Sequence, residues 1–270
     1  MEPCPPRAAV LMCHAPVVIP VIGKRRACDC AATTEAMRTA ARAVVRSGAE
    51  TAVIISPHTP RHQQSFSFVT GTTLDGNFLT FGVQGLEATF QGAPAVGTAA
   101  AHQADRAGIP LAPVRLQTLD HGALVPLWFL EEAGFKGDVA VFGFPWESGP
   151  GDAVRFGQVL ADAMAELGRP WALVASGDMS HALKEGAPAG LQPRAHLFDA
   201  AVVACVREAR IGDVAAIPSD LRSLAAEDVV ESLETAEGIL GNAPPGLRFL
   251  SYEAPFGVGY LVAILRETLA

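Results

Sequence analysis

The sequence predicts an α/β fold: one domain built on a central, mostly parallel (mixed) β-sheet with helices on both faces. Two observations carry that expectation. Short apolar runs bounded by turn residues recur along the chain, and amphipathic stretches of helical period lie between them. Such alternation joins parallel strands through crossover helices. A third observation concerns size: 270 residues suit one large domain, and neither a linker nor an internal repeat divides them, so residues 1–270 are read as a single unit.

The elements follow in order. Ala8–Cys13 is an uncharged apolar run and reads as the first strand, and Thr34–Arg46 as the first helix. Ala52–Ser56 is the second strand. Ser65–Thr70 and Phe78–Val83 flank Leu74-Asp75-Gly76-Asn77, a turn signal that predicts an antiparallel ribbon. Helices are expected over Thr98–Ala107, Ala123–Glu132, Asp152–Leu167 and Arg194–Arg210, and strands over Leu111–Arg115, Asp138–Phe144, Trp171–Ser176 and Leu247–Tyr252. Gly177–Pro193 is the longest loop-like stretch, and Asn242-Ala243-Pro244-Pro245-Gly246 is a loop before the last strands. Gly257–Leu265 fits a strand or a helix, and periodicity does not choose.

Composition narrows the function. Half the residues are apolar and 18% are charged, which excludes intrinsic disorder. With 20 Lys and Arg against 28 Asp and Glu the net charge is −8, and no basic cluster offers a nucleic acid or an anionic membrane a binding surface. Five scattered cysteines do not form a disulfide framework, and the Cys28-Asp29-Cys30 spacing is tighter than a zinc knuckle requires. The uncharged run Ala8–Gly23 is interrupted by His14, Pro16 and Pro20, and Lys24-Arg25-Arg26 follow it rather than precede it, so it does not read as a signal peptide. No window reaches the ~18 uninterrupted apolar residues of a membrane span. A reduced, cytoplasmic protein is expected.

Open α/β sheets place ligand sites beyond the carboxyl ends of their strands. A polar residue directly after a predicted strand is therefore a site candidate. His14 follows the first strand, His58 the second, His121 lies in the loop after the Leu111 strand, His181 follows the Trp171 strand, and Glu253 ends the Leu247 strand. Each alone is a common loop or core residue, but five independent loops rarely deliver ionisable groups to one sheet edge. His62, His102 and His196 fall in a loop or on helices and read as surface residues. Two imidazoles and a carboxylate on one face of a metal form the facial triad of non-haem Fe(II) oxygenases. Further histidines beside it can move protons. A zinc hydrolase uses the same ligand types. Neither Ser176 nor Ser180 sits in a nucleophile elbow, and no phosphate-cradling glycine loop follows the first strand.

The segments Cys13-His14-Ala15-Pro16, Ser56-Pro57-His58-Thr59-Pro60, Leu119-Asp120-His121-Gly122, Ser176-Gly177-Asp178-Met179-Ser180-His181 and Ser251-Tyr252-Glu253-Ala254-Pro255 occur in this order across nearly the whole chain. In these segments the sequence resembles the class III extradiol dioxygenases, the LigB-type superfamily that also contains the Memo-like proteins. The resemblance implies Fe(II) held by His14, His58 and Glu253, with His181 as acid–base histidine and His121 lining the substrate pocket. The implied reaction opens a catechol-type ring beside its two hydroxyls, or an aminophenol-type ring in the same manner, using both atoms of O2. His181 would accept a hydroxyl proton and later return one. Asp120 is a candidate to orient His121, and Asp178 to support the His181 loop. Implied partners are a small aromatic substrate and O2, and family members often work with a small partner subunit; the sequence leaves oligomeric state open, a homo-oligomer being a common arrangement. The Memo-like branch implies the contrasting reading of a metal-binding or scaffold protein without ring cleavage.

Overall fold

The computed structural model describes residues 4–268. Ten strands and eight α-helices are described: β1 (Ala8–Met12), α1 (Pro20–Gly23), α2 (Ala31–Arg46), β2 (Thr51–Ile55), β3 (Phe66–Val69), β4 (Thr73–Asn77), β5 (Glu87–Gln91), α3 (Pro94–Ala107), β6 (Leu111–Val114), α4 (His121–Glu132), β7 (Asp138–Gly143), α5 (Asp152–Leu167), β8 (Trp171–Ser176), α6 (Ala195–Arg207), α7 (Ser219–Ala225), α8 (Val230–Leu240), β9 (Arg248–Glu253) and β10 (Tyr260–Glu267). Eight strands form one sheet in the order β6-β3-β7-β2-β8-β1-β10-β9. The centre is parallel: β2 pairs with β7 and β8, and β8 with β1. β10 enters antiparallel to both β1 and β9. The α/β expectation is therefore met, and Gly257–Leu265 resolves as strand β10.

Alternation along the central strands supplies both faces of the core. Ala9 and Leu11 of β1 pack with α3, α5, α6 and α8, whereas Ala8, Val10 and Met12 pack with α2 and α4. A strand covered on both sides must be apolar throughout, which is why β1, β2 and β8 read as unbroken apolar runs. One aromatic group stitches the first layer: Phe66 of β3 stacks on Phe156 of α5 with ring centroids 4.1 Å apart.

The ribbon expected around Leu74-Asp75-Gly76-Asn77 is built differently. Those residues are strand β4 itself, which pairs with β5, while β3 is drawn into the main sheet between β6 and β7. Leu79–Phe81, inside the expected second strand, is a 3-10 turn. The glycine that suggested a turn serves close packing: a Cβ at Gly76 would stand 2.3 Å from Leu124 Cδ1 of α4. Helices α7 and α8 were not expected at all, and the loop joining them reaches the site.

Candidate metal centre

β1 ends at Met12, and two residues later His14 is 1% exposed at the carboxyl edge of the sheet. His58 lies three residues past β2, and His121 is the first residue of α4. The three imidazoles converge: each offers a ring nitrogen, and these nitrogens all lie within 4.8 Å of one another. His58 stacks on His121 with centroids 4.1 Å apart, and His14 meets His58 edge-on at 4.7 Å. Nε2 of His14 and Nε2 of His58 are 3.1 Å apart. His181 lines the same cavity, of about 570 Å3, and its Nδ1 is buried without a hydrogen-bond partner. His62, His102 and His196 are exposed, as expected.

The rings are fixed from outside the cluster. The Ser176 hydroxyl at the end of β8 donates to the Gly122 carbonyl at 2.6 Å, so its oxygen is left to accept from His14 Nδ1 at 3.0 Å. That network places a proton on His14 Nδ1, so Nε2 is the nitrogen that faces the cluster. Among the described residues no hydrogen bond joins Asp120 to the His121 ring, and its carboxylate has other partners. It caps α4 by accepting from the Ala123 amide, and it also accepts from the Ser56 and Thr59 hydroxyls, at 2.6 and 2.9 Å, on either side of His58. One carboxylate thus ties the β2 loop to the helix that begins with His121. Gly122 is required between them, because a Cβ there would meet Ser56 Oγ at 2.3 Å. Asp178 also has a role other than the one expected. Its Oδ1 accepts from the His14 amide at 2.9 Å, holding the β1 loop rather than His181.

The His181 loop is held instead by Asp199 of α6, which accepts from the Ser180 amide at 2.9 Å and from the Tyr252 hydroxyl at 2.6 Å.

The structure does not bring Glu253 to the histidines. β10 lies between β1 and β9, so the backbone at the end of β9 is two strand spacings, about 9–10 Å, from β1. The Glu253 carboxylate turns instead to the start of α2, where Oε2 accepts from the Thr33 amide and the Thr33 hydroxyl, each at 2.6 Å. An anion at the positive end of a helix is satisfied there. The carboxylate facing the imidazoles is one the sequence reading missed: Asp228, between α7 and α8, has Oδ2 3.4 Å from His14 Nε2 and 3.2 Å from His58 Nε2. Its signal was the acidic pair Glu227-Asp228 ahead of the helical period Val230, Leu233, Ala236. Glu227 caps that helix by accepting from the Val229 and Val230 amides at 2.8 and 2.9 Å.

Charge at the site favours a cation. Burial alone would lower the pKa of the His14 imidazolium, but Asp178 and Asp228 outweigh it and raise the value to about 9. Burial opposes ionisation of Asp228, yet His14 and His58 hold its carboxyl well below the usual carboxylate range. At His121, burial and the neighbouring His14 and His58 push the value down to about 3, so this ring is a neutral donor of a lone pair. Two donors each about 2.1 Å from one ion, at 90–109° to each other, stand about 3.0–3.4 Å apart. The 3.1 Å separation of the His14 and His58 nitrogens meets that spacing, so the residues present fit a metal ion.

Fold and cluster together define an α/β protein in which imidazoles from two loops and a helix start converge, at one edge of a mostly parallel sheet, on a position able to hold a metal. The chain belongs to the LigB family: the model for the catalytic LigB subunit of aromatic ring-opening dioxygenase matches residues 8–263. A curated relative from Clostridium acetobutylicum, Protein CA_C1420, is 25% identical over 259 residues. The match takes in 93% of this chain but 55% of that protein, so the chain spans about half the length of the curated relative. The crystal structure of uncharacterized protein JW3007 from Escherichia coli K12 shares the fold, with a TM-score of 0.60 at 15% identity, covering 96% of this chain and 98% of that one. No described helix is long and apolar enough to cross a membrane.

Proposed function

We propose that the chain is a non-haem Fe(II)-dependent extradiol dioxygenase that opens a catechol- or aminophenol-type ring with O2. The observation that carries this reading is the His14, His58 and His121 cluster on the wall of an accessible cavity, in a chain of the LigB family. About 570 Å3 accommodates a substituted single ring, and pockets of roughly 300–1,000 Å3 are the usual size for small ligands.

His14 and His58 would hold the ion. A ferrous ion bound there would supply O2 activation and an anchor for the two adjacent ring substituents, both oxygens in a catechol and an oxygen and a nitrogen in an aminophenol. The chain's own residues supply position and protons. His121 stands beside the ligand pair and offers its lone pair to a ring hydroxyl. His181, with an unpartnered Nδ1 in the same cavity, can take up that proton and return it to the product. Phe81 packs edge-on against His121 at 5.2 Å and gives the cavity an apolar wall for the ring. The reaction balances without a further reductant, because the ring carbon–carbon bond supplies the electrons and the acyclic product retains both oxygen atoms.

The test is anaerobic loading with Fe(II), followed by O2 and a panel of catechols and aminophenols. Oxygen uptake and the mass of substrate plus O2 are measured together. Uptake matched by that mass gain is expected. Verified metal with neither signal would remove ring cleavage of those compounds. Hydrolytic turnover that survives strict iron exclusion would select a zinc hydrolase on the same donors.

A further inference from the structure

We propose that Arg26 and Tyr260 form an anion subsite in the cavity, and that the aromatic substrate carries a carboxylate held there. The proposal deepens the reading above and rests on it for the ring chemistry, but the subsite is testable without ring cleavage.

Both donors stand on the wall of the cavity that holds the histidines. Arg26 lies on the 3-10 segment Lys24–Cys30, between α1 and α2. Its guanidinium carbon sits 4.3 Å from the centre of the Phe256 ring, a contact that orients the group without neutralising it. Among the described residues neither Arg26 nor its neighbours Lys24 and Arg25 forms an ion pair, although the chain carries 28 acidic side chains against 20 basic ones. Arginines of α2 are paired, by contrast: Arg38 with Glu132, and Arg42 with Glu35.

The approach to this segment is strained. Lys24 has φ +52° and ψ −123°, a costly conformation for a residue with a Cβ, and it turns the chain from α1 into the segment that presents Arg26. Just before it, a Cβ at Gly23 would stand 2.1 Å from the carbonyl oxygen of Val17, which also lines the cavity, so the turn is pressed against the wall.

Tyr260 opens β10 and is 2% exposed, and among the described residues its hydroxyl has no hydrogen-bond partner. Nor is that oxygen sealed from the cavity. The hydroxyl of Tyr252, in contrast, is committed to Asp199. Burial, the Asp178 carboxylate and the Cys13 and Cys30 thiols push the Tyr260 phenol above its ordinary value, against the pull of Arg26, so it is a donor at neutral pH. Asp178 is the one acidic residue lining the cavity among those described, and it already accepts from the His14 amide at 2.9 Å. Much of the remaining wall is apolar, with Pro16, Val17, Ile22 and Val258. A ring bearing a carboxylate satisfies the cation and the hydroxyl together, whereas a neutral ring gives neither an anionic acceptor.

Anaerobic, Fe(II)-loaded full-length protein is titrated by calorimetry with catechols that carry a carboxylate on the ring or on a short carbon arm, and with the methyl ester of each. Without O2 the ring stays intact, so binding is read apart from turnover. The wild type is expected to bind at least one acid about 10-fold or more tightly than its ester. Arg26→Gln and Tyr260→Phe are each expected to weaken that acid about 10–100-fold, the worth of one charge-assisted hydrogen bond, and to leave the ester within about threefold. Arg25→Gln removes an adjacent cation that does not line the cavity and is expected to bind both compounds like wild type at about 0.15 M salt. Wild-type protein that binds neither compound, or both equally, would overturn the subsite. So would a loss in Arg25→Gln as large as that in Arg26→Gln, or Arg26 and Tyr260 variants that weaken acid and ester alike while circular dichroism shows them folded. Admitting O2 then tests ring cleavage separately: its absence would remove the dioxygenase reading, while a preference for the acid that is lost in Arg26→Gln would still uphold the subsite.

Discussion

Replacing Asp199 by Asn should stabilise the protein at neutral pH and leave it unchanged in mild acid. Asp199 is 2% exposed in α6, and burial pushes its carboxyl up from 3.8 to about 6. The bonds from Tyr252 and the Ser180 amide and the charge of His181 pull the other way, and Glu227 adds to the rise. Because the folded value lies above the unfolded one, the native state binds more protons than the unfolded chain between about pH 4 and 6. Stability is therefore fully present below pH 4 and falls as pH rises through that window. At about 1.36 kcal/mol per pH unit, the interval from 3.8 to 6 is worth about 3 kcal/mol. An Asn side chain mimics the neutral acid: its oxygen accepts from Ser180 and its amide donates to Tyr252. Urea denaturation of metal-free wild type and Asp199→Asn, run from pH 3.5 to 8, should therefore show a difference near zero at the acid end. That difference should grow to about 3 kcal/mol by pH 7. One that stays flat across the series would refute the claim that Asp199 is a strained carboxylate.

Three further outcomes follow from particular contacts. Ser176→Ala frees the His14 tautomer and should lower Co(II) affinity about 10–100-fold in calorimetry, with an unchanged Kd counting against the tautomer role. His121→Phe should keep Co(II) binding within a few-fold of wild type but cut ring-cleavage turnover by about 10²–10⁴, and loss of metal would make His121 a ligand instead. Gly76→Ala drives a methyl into Leu124 and should cost about 1–3 kcal/mol, read as a lower Tm; an unchanged Tm would mean that Leu124 can swing clear.

What the sequence revealed of this molecule follows from what is local. β1, β2 and β8 are buried on both faces, so composition alone marks them, and the residues just past their ends fall at one sheet edge by topology. That logic reached His14, His58 and His181, and the loop after β6 reached His121. It failed at Glu253 because a residue's position at a strand end does not reveal which strand lies next to it. β10 returns antiparallel between β1 and β9, a non-local choice made by packing. It also missed Asp228, which lies between two helices, where a rule about strand ends never looks. Asp75-Gly76 was misread for a related reason: the pair is the same whether the glycine admits a turn or the approach of Leu124.

The histidine cluster depends on the sheet as a whole rather than on any one loop. His14 leaves β1, but its ring is oriented by Ser176 of β8, whose proton goes to Gly122 of α4. His58 leaves β2, but its loop is held by Asp120, which is also the cap of α4. Asp228 reaches the cluster from the α7–α8 loop and is held by the amide of Asp178, whose own carboxylate holds the His14 backbone. These groups are thus fixed by two other connections, through Asp120 before α4 and through Ser176 and Asp178 at the end of β8, and those fixing residues bond in turn to one another's neighbours. Such a set can converge only when β1, β2 and β8 are already in register, which the unfolded chain does not provide. An ion held by these donors would consequently bind the folded state alone, so its binding and the register of the central strands would stabilise each other.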